Sequence, residues 1–347
     1  HLSNGQLGTV LFAIPIGQLL MMAFSGVLVS KFGSRKMILF AEVLYAFVLF
    51  CMGSSSTVFQ LILSLVAFGM MANLMNIATN TQACLVEKMY GRNIMSSFHG
   101  LWSLGGFSGG IIGAVFANTL LPIEAHFGAV LVMSLLIIAI GFRYLVDDAT
   151  AKAEEEDVPK FSFKTIDPIL FLLGLMGFAG MFCEGTVYDW SGVYFSSVVK
   201  PDEAFIRAGY VAGMGAMTLG RFLADGFVTK YGPARVLKVC GGLIVGGLWL
   251  AAALPYLIPA TLGFLLVGFG ISSSVPICYS IAGKLGTIKA SIAITIVSSI
   301  SFFGFLVGPP VIGWLAEATG LRIAISIAAC LGLMIAFVAA KVGKRIS

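Results

Sequence analysis

Charged side chains are scarce. Asp, Glu, Lys and Arg together make up 11% of the 347 residues, while apolar ones make up 59%. A soluble domain carries about a quarter charged residues, so this composition excludes an ordinary water-soluble fold. Histidine occurs three times. The six cysteines, Cys51, Cys84, Cys183, Cys240, Cys278 and Cys330, stand singly in apolar segments with no CxxC spacing. That scatter offers no zinc or iron–sulfur ligand set and no redox pair, so the cysteines read as packing residues. No HExxH helix and no GxxxxGK[ST] phosphate loop occurs, which removes a zinc protease and ATP-driven transport by this chain. No enzymatic activity and no cofactor are expected.

What the chain has is long apolar runs. They lie at about 5–30, 37–53, 58–86, 95–118, 125–145, 168–195, 205–229, 234–254, 258–283, 289–315 and 321–340. Each is close to or above the roughly 20 residues that a spanning helix needs. An all-α polytopic membrane protein with eleven helices follows. The net charge of +5 does not point to nucleic acid, because the basic residues gather in alternate loops. Seventeen of the 21 Lys and Arg, among them Lys31, Arg35, Lys88, Lys230, Lys284 and Arg345, fall on one side. Such asymmetry marks the cytoplasmic face, which puts the carboxyl terminus inside.

The chain also repeats itself at a spacing near 200 residues. VSKFG at 29–33 returns as VTKYG at 228–232, LVAFG at 65–69 as LVGFG at 266–270, and SGGIIG at 108–113 as GPPVIG at 308–313. Spans starting at 5, 37, 58, 95 and 125 thereby pair in order with those starting at 205, 234, 258, 289 and 321. Only the span at 168–195 lacks a counterpart. The expected parent has six plus six helices, with the first absent from this chain. Residues 1–146 form an N-terminal bundle, the charged stretch 147–165 is a cytoplasmic linker, and 166–347 form a C-terminal bundle. Parallel repeats of this kind place a substrate site near the midplane between the halves.

VLVSKFGSRK at 27–36 resembles the loop signature of the major facilitator superfamily, through Gly26, Lys31, Gly33, Arg35 and Lys36. Ser30 and, in the second copy, Thr229 stand where the family carries an acid. FHGLWSLGGFSGG (98–110), FCEGTVYDW (182–190), GRFLADGFVTKYG (220–232) and FLVGPPVIGWLAE (305–317) look like a bacterial branch of rhizopine-transport-like proteins, more distantly akin to fucose permeases. The resemblance implies two pseudo-symmetric six-helix bundles, alternating access and a monomer in the inner membrane. The drug antiporters of the family carry a Gly-Pro signature in their fifth helix. Here that helix reads GGFSGGIIG, which favours uptake of a polar solute over efflux.

Glu184 is the residue that stands out. It lies roughly 24 Å along a helix from Pro168, inside a hydrocarbon layer about 30 Å thick. An ionisable group there needs a partner or a wet cavity, so it either pairs structurally or serves a substrate or proton. Asn73, Asn76 and Asn80 share one helix face, either bonding to neighbouring helices or lining a substrate path. Ser272, Ser273 and Ser274 lie in the repeat-related span, with Ser274 at the register of Asn73. Trp102 follows His99 by three residues on a glycine-lined face where close helix packing is the competing explanation. Tyr188 and Tyr279 complete the candidate substrate contacts. Arg221 and Asp225, spaced i, i+4, are expected to neutralise each other and, with Lys31, Arg35 and Lys230, to form a gate.

These readings converge on a secondary transporter for a small polar solute such as a sugar, polyol or amino compound, driven by protons through Glu184. A metabolite or drug efflux antiporter and a non-transporting membrane receptor of the same fold are the alternatives.

Overall fold

The computed structural model describes residues 10, 12–117, 121–147 and 166–346, and most of these residues are helical. In chain order the helices are α1 (Ala13–Phe32), α2 (Ser34–Gly53), α3 (Val58–Tyr90), α4 (Met95–Ala117), α5 (Ile123–Gly141), α6 (Pro168–Tyr194), α7 (Ala208–Tyr231), α8 (Pro233–Ala253), α9 (Leu257–Ser272), α10 (Ser274–Lys284), α11 (Ala290–Thr319) and α12 (Leu321–Ile346). Where the expected spans fall on described residues, each of the eleven is represented by helix. Among the described residues, nine helical stretches are long and apolar enough to cross a bilayer. Lipid offers no hydrogen bonds, so each apolar run must satisfy its own backbone, and the helix does so. The linker lies outside the described residues beyond Asp147.

The ninth span is the exception to continuity: it is divided between α9 and α10 at Ser273. Pro276 supplies the reason. Its ring clashes with the carbonyl four residues earlier, that of Ser272, and it has no N–H to donate there. The displaced turn is held by hydroxyls instead. Ser272 Oγ donates to the Phe269 carbonyl at 2.7 Å and Ser274 Oγ to that of Gly270 at 3.2 Å.

The two copies of the loop motif fold alike. Gly33 (φ 89°) separates α1 from α2, and Gly232 (φ 80°) separates α7 from α8. A side chain is strained at such angles, which is why a glycine closes both VSKFG and VTKYG. Lys31 and Lys230 stand in the last turns before these glycines, where the negative end of the helix dipole favours a cation.

Residue contacts divide the chain into two compact units. One contains His1–Met89, Gly106–Thr165 and Leu285–Thr295; the other contains Tyr90–Gly105, Ile166–Lys284 and Ile296–Ser347. The first turns of α4 thus belong with the second unit, and the first turns of α11 with the first. Within the first unit, α1 meets α3 at Gly17 and Gly69, where a Cβ on either would run into a backbone carbonyl of the other helix. Within the second, α7 meets α9 at Gly213 and Gly268, where a Cβ on Gly268 would run into the Gly213 carbonyl and one on Gly213 into the Val187 side chain of α6. α2 packs on α5 and α8 on α12, again at repeat-related places. Small residues let backbones approach where lipid gives no hydrophobic drive for association.

Candidate functional site

α6 is largely enclosed within the second unit. Gly177 and Gly304 let it lie against α11, and Gly180 lets it lie against Ser274. This close packing buries its middle, so Glu184 is only 8% exposed. The carboxylate faces α7, where Arg221 is 3% exposed. Arg221 Nη2 lies 3.5 Å from Glu184 Oε1 and 3.4 Å from Oε2. A single amino group therefore reaches both oxygens, instead of the two parallel bonds of a forked pair. Arg221 Nη1 donates to Ser103 Oγ on α4. The third nitrogen, Nε, is buried with no hydrogen-bond partner.

Asp225, one turn further along α7, is not the partner that i, i+4 spacing suggested for Arg221. Its carboxylate lies at the start of α4, accepting from Ser96 N at 3.0 Å, Ser97 N at 2.7 Å and Ser97 Oγ at 2.5 Å. These amides belong to the first turn of α4, whose orphan N–H groups attract an anion. Three charge-assisted bonds outweigh what one pair on a helix surface offers, so Arg221 is left to Glu184. Gly100 fits beside the Phe222 ring on the same interface between α4 and α7.

His99 is half-buried on α4, its ring edge-on to Tyr279 of α10 with centroids 5.9 Å apart. Tyr279 is 4% exposed. The second unit therefore collects Glu184, Arg221, Ser103, His99 and Tyr279 from α6, α7, α4 and α10. Ser274 is fully buried, wedged against Gly180 in the helix packing. Tyr188 is half-exposed and lies edge-on to Tyr210 at 5.5 Å. Trp102 is 72% exposed on α4, on the outside of its unit. Trp190, beyond Tyr188, ties α6 to α11 by donating Nε1–H to the Pro309 carbonyl at 3.0 Å.

The asparagines of α3 lie in the first unit and do not behave as one stripe. Asn73 is buried and accepts from Ser25 Oγ at 2.7 Å. Asn80 is also buried and bonds to the Asn76 carbonyl at 2.9 Å, while the Asn76 side chain is exposed. At the basic-loop end of this unit Arg35 lies 3.8 Å from Asp147 and stacks on Phe142. Lys31 and Lys230 each rest over the aromatic ring that follows them. Thr229, standing where an acid was expected, accepts from Asn93 at 3.3 Å, and Asn93 in turn accepts from Lys284 at 3.5 Å.

Ser96, Ser97 and Ser103 were not singled out from the sequence. A serine in an apolar run is ordinary, and only the fold shows which face of α4 meets α7. The string Gly106-Phe107-Ser108-Gly109-Gly110 matches the letters of a serine nucleophile elbow, yet it lies inside the unbroken helix α4 and lacks the strand-to-helix turn that such chemistry uses.

The family model for the Major Facilitator Superfamily matches residues 1–287. An uncharacterized MFS-type transporter of Yersinia pestis is 33% identical over 98% of this chain and 86% of its own length. The membrane protein MosC of Rhizobium meliloti is 29% identical over 96% of this chain and 81% of its own. Among solved structures, FucP in the outward conformation superposes with a TM-score of 0.73 at 16% identity, covering 98% of this chain and 91% of FucP. The human organic anion transporter MFSD10 reaches 0.76, also at 16% identity, covering 96% and 83%.

Proposed function

Given that the chain belongs to the major facilitator superfamily and is therefore a multi-pass secondary transporter rather than an enzyme, we propose that it moves a small polar solute by alternating access, coupled to protons at Glu184. The observation that carries this reading is the buried Glu184–Arg221 pair, at 3.4 Å, with Ser103 as the second ligand of the guanidinium. Two opposite charges withdrawn from water gain little stability over apolar packing, so a buried pair between α6 and α7 supports a working role. The pair joins α6, α7 and the first turns of α4, and a change in its charge state bears on all three helices at once. Solved structures that superpose on this chain include a protein described as a fucose:proton symporter, which agrees with proton coupling.

In this reading residues 1–146 and 166–347 are the two rocking bundles and 147–165 is the cytoplasmic linker between them. Within the second unit Glu184, Tyr188, Tyr279 and Trp102 supply solute contacts, and within the first Asn73, Asn76 and Asn80 do; Ser274, wedged against Gly180, serves helix packing instead. Asp225 with Lys31, Arg35 and Lys230 governs closure at the basic-loop end. The protein sits in the inner membrane as a monomer.

The experiment is flux in proteoliposomes. A thermal-shift screen of sugars, inositol derivatives and amino compounds identifies a ligand, which is then labelled. Glu184→Gln is expected to abolish accumulation driven by an imposed pH gradient while retaining part of the exchange of labelled solute. Accumulation that survives this substitution refutes the coupling role, and binding without flux in the wild type favours a receptor.

A further inference from the structure

The charge balance of the buried pair limits what the solute can be. When Glu184 takes up a proton its negative charge disappears, and Arg221, 3% exposed and permanently cationic, keeps its own. An uncompensated guanidinium in such a site is strongly unfavourable. Among the described residues of the second unit, none of the groups around Arg221 takes over. Asp225 is held by Ser96 and Ser97 at the start of α4, and reaching Arg221 would break all three of its bonds. On α4, His99 brings only further positive charge if it is protonated, and Ser103 is neutral. On α10, Tyr279 is a buried phenol that faces His99. The counter-charge must therefore arrive from outside.

The guanidinium is already shaped for it. Glu184 occupies only Nη2, at 3.4 to 3.5 Å, and the buried Nε has no partner. A planar oxyanion that met Nε and Nη2 together would make the forked pair that Glu184 does not make. We infer that the transported solute is a small monoanion bearing a planar oxyanion group, a carboxylate above all, which replaces Glu184 on Arg221 as Glu184 takes up a proton. One proton and one negative charge then cross together, and the site is neutral both before and after loading. A neutral sugar or polyol leaves the loaded site with an unpaired cation. The inference rests on the proton-coupled reading above, and it names the charge of the solute that this site selects.

The test uses the purified full-length protein in detergent at constant chloride, with formate, acetate and gluconate as anionic probes, glycerol and sorbitol as neutral ones, and glycine as a zwitterion. Thermal unfolding and proton uptake in weak buffer are recorded. Carboxylates are expected to raise the unfolding temperature of the wild type more as pH falls, each binding event removing a proton from solution. Glu184→Gln leaves Arg221 without its counter-charge, so it is expected to bind carboxylates about tenfold tighter near neutral pH, with no proton uptake. Glu184→Gln combined with Arg221→Gln loses the response. If Glu184→Gln unfolds when prepared alone, acetate in the buffer restores its yield, and the wild-type proton uptake is an independent readout. Stabilisation by sorbitol but not by any carboxylate overturns the inference while leaving proton coupling intact. Glycine binding that is lost in Glu184→Gln and takes up no proton overturns it in favour of a zwitterion bridging both charges. Equal carboxylate binding by the wild type and Glu184→Gln at every pH overturns the exchange through failure of Glu184's coupling role. A Glu184→Gln protein indifferent to every probe overturns the inference outright.

Discussion

Asp225 and Gly26 hold the same register in the two internal copies, each seven residues before the glycine that ends its helix, yet they meet a helix start in unlike ways. Asp225 offers a carboxylate to the first-turn amides of α4. Gly26 offers only its backbone carbonyl, which accepts from Ser291 Oγ in the first turn of α11 at 3.1 Å. A Cβ on Gly26 would press on the Thr295 side chain and the Ser291 carbonyl, so that contact is close but uncharged. The repeat preserves where the helices touch and changes the chemistry of the touch.

Asp225→Asn keeps the shape of the side chain and removes its charge, while turning an amide N–H toward donors. The loss expected is about 2 kcal/mol, that of a charge-assisted hydrogen bond. Thermal unfolding in detergent checks it. An unchanged melting temperature means that the carboxylate does not hold α4.

Ser103→Ala leaves the Nη1 group of Arg221 buried without an acceptor, and Arg221→Lys leaves a single ammonium to serve both Glu184 and Ser103. Transport is expected to fall about tenfold or more in Arg221→Lys, because a point charge cannot reproduce the planar geometry. Ser103→Ala falls less, since the Glu184 contact survives. Initial rates of labelled uptake, corrected for the amount of folded protein, decide the order; a Lys variant with wild-type rates refutes it.

Gln82 is a clasp within the first unit. Its amide donates to Ser34 Oγ at 2.9 Å and to the Val146 carbonyl at 2.7 Å, and its oxygen accepts from Val146 N at 3.1 Å. Gln82→Leu leaves the Val146 groups without partners, at a cost of about 1–3 kcal/mol. Hydrogen exchange around 142–147 should quicken markedly while α8 and α12 keep their protection. Uniform exchange across the protein would mean that Gln82 is needed for folding and is not a local tether.

Gly69→Leu places a side chain against the Ile14 backbone at the crossing of α1 and α3. Overpacking of this kind costs about 1–3 kcal/mol, and here the opposing atoms are backbone that cannot swing aside. Folded yield and melting temperature are expected to drop sharply. Gly105→Ala, where nothing lies within 4 Å of an added Cβ, is the control that should melt like the wild type.

Much of the architecture was legible in the chain because lipid imposes one simple rule. A run of about 20 apolar residues can satisfy its backbone only as a helix, so eleven spans could be counted by composition. The repeat was legible for a related reason: the turn after VSKFG or VTKYG needs a glycine at positive φ, and the motif survives in both copies. The break in the ninth span was not read from the sequence, where 258–283 runs as one span; Pro276 carries the signal, and the structure places the break at Ser273. The partner of Arg221 was not legible. Local spacing offered Asp225, four residues away, and nothing in one dimension states that the first turns of α4 will arrive beside α7.

By itself, then, the sequence determined the membrane class, the span count, the internal repetition and the isolation of one acid in an apolar helix. These depend on the solvation of backbone and side chains along the chain, which is local. Only the tertiary structure decided that Glu184 meets Arg221 through one nitrogen and that Asp225 goes to α4. Those pairings depend on which helix faces approach one another, and glycine contacts between segments far apart in sequence set that approach.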